Sequence, residues 1–188
     1  MSVIPTLPGV HSTFVDTPRL RQHVLTSGPE TGVPVLFIHG NASSAAFWEE
    51  VMTKLPAGYR AIAPDLRGYG ETEDKLIDAT RGFGDWIDDL LALKAALKIN
   101  RYHVAGHSLG GAIAMRLIAA DANHIRSATL VAPGSPYGFG GTKGLDGKPC
   151  NPDFAGSGGG IVNAAFTQRM AKGDRSLRPH QQANPDAY

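Results

Sequence analysis

Gly106-His107-Ser108-Leu109-Gly110 decides how this chain is read. The pentapeptide stands between a short apolar run, Tyr102-His103-Val104-Ala105, and a helix-like run from Ala112 to Ala120. A G-x-S-x-G pattern alone is weak, because glycine and serine are common. A strand before it and a helix after it turn it into a nucleophile elbow. At such an elbow the serine occupies a strained turn, and its hydroxyl projects from the tip of the sheet. Glycines two residues to either side, here Gly106 and Gly110, remove the Cβ atoms that would clash where strand meets helix. The helix N-terminus beneath the serine favours negative charge developing above it. The competing reading is a glycine-rich strand–helix turn with an idle serine.

Two segments upstream have the same build. Val35-Leu36-Phe37-Ile38 ends in His39-Gly40-Asn41, followed by a helical segment from about Ser43 to Leu55. Arg60-Ala61-Ile62-Ala63-Pro64 ends in Asp65-Leu66-Arg67-Gly68-Tyr69-Gly70-Glu71-Thr72. Strand–loop units of this kind place a ligand crevice at the carboxyl ends of the strands. Residues 11–15 and 20–26 read as two short strands around Asp16-Thr17-Pro18. Strands at 35–39, 60–64, 102–106 and 127–132 then alternate with helices. The pattern predicts an α/β fold, a mostly parallel sheet with helices on both faces. Trp86, Leu90, Leu93 and Leu97 predict a helix from about Asp85 to Leu97. Asp85 and Asp88 fall in its first turn and Lys94 and Lys98 in its last, an order that suits the helix dipole.

With H-G-x, D-x-R-G-x-G and G-x-S-x-G in this order, the chain resembles the α/β-hydrolase family from about residue 10 to residue 133. The resemblance implies Ser108 as catalytic nucleophile. It implies the backbone N–H groups of Asn41 and Leu109 as oxyanion-hole donors, with a loop or helix-capping role as the alternative for Asn41. It implies structural support from His39, Gly40, Gly106 and Gly110. The segment from Ile38 to Ser44 is also similar to the oxyanion loop of haloalkane dehalogenases and epoxide hydrolases, which use an aspartate where this chain has Ser108. A serine there points instead to acyl transfer through an acyl-enzyme, on an ester or related acyl compound, as in esterases, lactonases and C–C bond hydrolases.

A serine hydroxyl needs a base, usually a histidine oriented by a carboxylate, and the family order is serine, acid, histidine. None of the downstream candidates fits that order well. Ala132-Pro133-Gly134-Ser135 carries no carboxylate, and Asp146 and Asp153 lie in a glycine-rich stretch with no strand before them. His124 falls on the wrong end of the sheet, and His180 lies in a polar tail. His107 abuts the serine on a sharp turn, so its ring points elsewhere. His103 and His107 span a strand and a turn and make a poor metal pair. Asp65 and Arg67 are expected to fix their loop, Phe47 and Trp48 to pack a helix against the sheet, and Cys150 to be a free thiol.

The expected domain plan is therefore 1–133 as the N-terminal part of a hydrolase core and 134–188 as a partial lid or glycine-rich tail. About six of the family's eight strands are present, as in a C-terminally truncated member. Isolated, such a chain would be impaired. The alternatives are a non-catalytic remnant that binds small hydrophobic molecules, with Tyr137, Phe139 and Phe154 as a lining, or a chain completed by a second copy or partner through an open sheet edge.

Bulk properties narrow the rest. In 188 residues, 18 Lys and Arg balance 17 Asp and Glu for a net charge of +1. That balance argues against nucleic acid or an anionic membrane as partner. The first residues lack a signal-peptide pattern, and no apolar run is long enough to span a bilayer. The single cysteine fits a reducing compartment, so a cytoplasmic location is expected. No cofactor or metal is expected.

Overall fold

The structure is a computed structural model that describes residues 5–134, 142–143, 148–149 and 172. Strand β1 (His11–Asp16) turns back into β2 (Arg21–Ser27) through a loop that Thr17 closes. The Thr17 hydroxyl donates to the Leu20 carbonyl at 2.8 Å and accepts the Leu20 N–H at 3.1 Å. The chain then enters β3 (Val33–Ile38), α1 (Glu49–Thr53), β4 (Tyr59–Pro64), α2 (Gly84–Ala96), β5 (Tyr102–His107), α3 (Leu109–Asp121) and β6 (Ile125–Val131). These strands form one six-stranded sheet in the order β1-β2-β4-β3-β5-β6. The β3/β4, β3/β5 and β5/β6 pairs are parallel, and β1/β2 and β2/β4 are antiparallel.

Alternation along the strands sorts the core onto two faces. Leu36, Ile38, Ile62 and Val104 pack with Leu90 and Leu93 of α2 and Ile113 and Leu117 of α3. Val35, Phe37, Ala61, Ala63 and Ala105 pack on the other side with Trp48 and Met52. Both faces of the central strands are thus covered, which is why those strands read as continuous apolar runs rather than alternating ones.

Three expectations need adjusting. The helix expected over 43–55 is a 3-10 turn, Ala45–Trp48, running into the short α1. Ser44 is extended, and the first N–H of the turn, that of Ala45, is taken by the Asp65 carboxylate at 2.7 Å. The last strand lies at Ile125–Val131 rather than 127–132, because Ala132 has a positive φ of 42°. Phe47 does not pack against the sheet with Trp48; it is 50% exposed.

Among the described residues β6 has only β5 as a strand neighbour, and its residues are largely exposed. By chain contacts, residues Met1–Pro136 make one unit and Tyr137–Tyr188 a second. In the second, the antiparallel pair β7 (Thr142–Lys143) and β8 (Lys148–Pro149) is described. The expectations for Tyr137, Phe139, Asp146, Cys150, Asp153, Phe154 and His180 lie outside the described residues. Among those described, no helix is long and apolar enough to cross a membrane.

Candidate active site

Ser108 stands between the end of β5 and the first residue of α3 with φ 54° and ψ −114°. A non-glycine residue held there stores about 1–3 kcal/mol of backbone strain, and persists only where its surroundings fix it. They do. The Ser108 N–H donates to the Val131 carbonyl of β6 at 3.0 Å. Its carbonyl accepts the N–H groups of Gly111 at 3.0 Å, Ala112 at 3.2 Å and Gly134 at 2.9 Å. The strand beside the elbow and the chain just past it therefore clamp the turn from two directions. The Ser108 hydroxyl has no hydrogen-bond partner among the described residues.

Small residues make the junction possible. A Cβ on Gly106 would meet the Gly110 carbonyl carbon at 2.6 Å and the Gly111 nitrogen at 2.8 Å. On Gly110 it would run into the backbone of Ile38 and His39, with the Ile38 carbonyl carbon 2.6 Å away. The loop after β3 therefore lies directly on the start of α3. A Cβ on Gly40 would sit 3.3 Å from the Ser108 Cβ, so the same loop also borders the serine. Asn41 follows, with its side-chain oxygen accepting the Tyr69 hydroxyl at 2.7 Å. Neither the Asn41 N–H nor the Leu109 N–H has an acceptor among the described residues. The structure thus brings a free hydroxyl and two free backbone donors to one end of the sheet.

His39 anchors that loop from below. It is fully buried; Nδ1 lies 2.8 Å from the Gly40 carbonyl, and Nε2 accepts the Leu66 N–H at 3.0 Å. These partners fix the neutral tautomer with the proton on Nδ1. Burial lowers its pKa from the ordinary 6.5, against smaller opposing effects of the Gly40 carbonyl and Asp65. Asp65, 2% exposed, accepts the N–H of Ala45 at 2.7 Å and of Glu71 at 2.9 Å, and its Oδ2 lies 2.7 Å from His23 Nδ1. Burial pushes its carboxyl up, but the hydrogen bonds from His23, Ala45 and Glu71 outweigh this and hold it below 3.8.

Both shifts favour the proton-free form in the folded state, so the unfolded chain binds more protons on the acid side and stability falls as pH is lowered. The His39 contribution is complete above 6.5 and is lost as pH drops from there to the ring's own lower value. The Asp65 contribution is lost below 3.8. Urea unfolding at pH 7.5 and 5.5 should show wild type losing stability at the lower pH, with a smaller loss in His39→Gln. Equal losses would mean that His39 does not carry the effect.

The other candidates disperse. The His107 ring stacks on Phe47 with centroids 4.6 Å apart, and its Nδ1 is buried without a partner among the described residues. Both His103 and His107 lie within β5, but His103 turns to the Ser127 hydroxyl at 2.7 Å. His124 pairs with Asp121 at 2.6 Å, before β6 and away from the elbow. Arg67 does more than fix its own loop: it donates to Asp89 of α2 through Nε at 2.7 Å and Nη2 at 2.8 Å. The acids of α2 likewise serve ion pairs, Asp85 and Asp88 with Arg19 and Arg81. Among the described residues no group of three or more His, Cys, Asp or Glu could hold a metal. None of the described histidines reaches the Ser108 hydroxyl.

Residues 33–156 match the family model for the alpha/beta hydrolase fold. The chain belongs to the α/β-hydrolase family. This α/β hydrolase is 30% identical over 151 residues to the 2-hydroxymuconate semialdehyde hydrolase of Pseudomonas sp. (strain CF600), covering 74% of this chain and 53% of the relative. It is 31% identical over 133 residues to an AB hydrolase superfamily protein of Bacillus subtilis (strain 168), covering 70% and 46%. An epoxide hydrolase from an endophytic Streptomyces superposes with a TM-score of 0.60 at 31% identity, over 65% of this chain and 37% of that one. The chain spans about half the length of these two curated relatives. Sequence reasoning missed Tyr69, Val131 and Gly134 as residues that hold the candidate site of this α/β hydrolase. Tyr69 alone had a signal, its place inside D-x-R-G-x-G; the other two act through backbone atoms that any residue supplies.

Proposed function

We propose that the chain is a serine-dependent hydrolase of an ester or related acyl compound, working through an acyl-enzyme on Ser108. The observation that carries this reading is the strained Ser108 backbone, with φ 54° and ψ −114°, directly before α3 and beside the Gly40–Asn41 loop. Strain of that kind at a helix start is costly to keep, and it aims a hydroxyl outward. The hydroxyl oxygen attacks the substrate carbonyl carbon, and the negative charge that develops on the carbonyl oxygen is received by the Asn41 and Leu109 N–H groups. Loss of one such donor typically raises the barrier by about 3–4 kcal/mol. Water then releases the acid and restores the serine. Hydrolase names among the relatives agree in kind.

The proton of Ser108 must go to a histidine that lies beyond the described residues or on another chain. The test is a fluorophosphonate probe followed by peptide mapping. The peptide carrying Ser108 should be modified in wild type and unmodified in Ser108→Ala. A folded protein with no adduct at Ser108 would overturn the reading.

A further inference from the structure

We propose that Ser12, on the outermost strand, is a second reactive hydroxyl that takes an acyl or phosphonyl group from an activated donor, with His23 and Asp65 as its base and orienting acid. The hairpin register produces the arrangement. Ser12 faces Leu25 across the β1/β2 ladder, and His23 faces Phe14. Ser12 and His23 are thus diagonal neighbours on one face of the pair, within reach of each other. The Ser12 Oγ lies 2.8 Å from His23 Nε2, and His23 Nδ1 lies 2.7 Å from Asp65 Oδ2. His23 is 3% exposed and Asp65 2%, whereas Ser12 is open to solvent.

For a neutral His23 ring the contacts on Asp65 set the hydrogen-bond directions. Asp65 accepts two backbone N–H groups, from Ala45 and Glu71, so it stands as a carboxylate and can only accept from His23 Nδ1. A neutral His23 ring then offers its lone pair at Nε2, and the Ser12 hydroxyl donates to it. This is the order of contacts that activates a serine in a nucleophilic triad. The ring is held in place further by the tilted Phe14 ring at 5.3 Å, and the His23 backbone N–H donates to the Thr72 hydroxyl at 3.0 Å.

With a fluorophosphonate the Ser12 Oγ–P bond forms as the P–F bond breaks. The hydroxyl proton passes to His23 Nε2, and fluoride leaves. An aryl ester would react in the same sense, with an Oγ–acyl bond formed and a phenolate released. The site is independent of the elbow: Ser12 lies on β1 at one edge of the sheet and Ser108 follows β5, across β2, β4 and β3.

Ser127 provides a reference inside the same molecule. It too is exposed and lies 2.7 Å from a histidine nitrogen, His103 Nδ1, but that histidine has no carboxylate partner among the described residues. The experiment treats folded Ser108→Ala protein with a fluorophosphonate and quantifies adducts at Ser12 and Ser127 by peptide mapping over time. Ser12 should react faster than Ser127 on the order of tenfold or more, within the range that a positioned base contributes. The preference should vanish in urea, and Ser12→Ala should remove that adduct alone. Equal rates at the two serines, or a Ser12 preference that survives denaturation, would overturn the proposal. Adducts at Ser108 in wild type report separately on the elbow.

Discussion

Arg67→Ala is expected to lower the free energy of unfolding by about 3–5 kcal/mol, the usual cost of removing one partner from a buried ion pair. Asp89 is 1% exposed, and Arg67 grips both of its oxygens from the loop after β4. Without Arg67 that carboxylate keeps, among the described residues, only the Arg19 Nε at 2.6 Å. The Leu76 carbonyl also loses its donor, the Arg67 Nη1 at 3.1 Å. Taking both charges away should hurt less, because neither is then left alone in the interior. Arg67→Met combined with Asp89→Leu should therefore be more stable than Arg67→Ala in urea unfolding. A single-variant loss under about 1 kcal/mol would place the pair with ordinary surface bridges. The damage would also reach the site, since Trp86 Nε1 donates to the Arg67 carbonyl and Tyr69, two residues on, holds Asn41.

Gly110→Ala should have the second large effect, a loss of about 3 kcal/mol, at the upper end for overpacking a tight interior. The added methyl has nowhere to go, because the atoms it meets are backbone of Ile38 and His39 rather than the ends of flexible side chains. Relief requires sliding α3 away from the loop after β3, which would part Leu109 from Asn41. Fluorophosphonate modification of Ser108 should fall along with stability. Thermal unfolding and peptide mapping on one preparation read both quantities. A variant as stable as wild type would show that the helix start and the loop are less closely seated.

The fold was legible because its central strands are buried on both faces. Val35-Leu36-Phe37-Ile38 and Arg60-Ala61-Ile62-Ala63-Pro64 have little polar residue content to confuse the reading, and each ends in a recognisable loop. The elbow was legible for a steric reason, since contacts as close as those at Gly106 and Gly110 admit only glycine. Long-range partners were not. Arg67 and Asp89 are 22 residues apart, His23 and Asp65 are 42, and nothing local marks either pair. Phe47 was misjudged because an apolar residue beside Trp48 reads as core, whereas its ring covers the imidazole of His107 at the surface. Alternation predicts which face a side chain takes, but not whether another layer covers that face.

The left-handed turn at residue 108 also bears on how the protein would fare under laboratory evolution. Glycine reaches that mirror-image region of backbone space freely, whereas serine is forced into it. A library screened for heat tolerance alone would drift toward glycine at this position and discard the hydroxyl that the proposed acyl transfer uses. Robustness and reactivity pull the same atom in opposite directions here, so any campaign to harden this scaffold must hold the codon for Ser108 fixed.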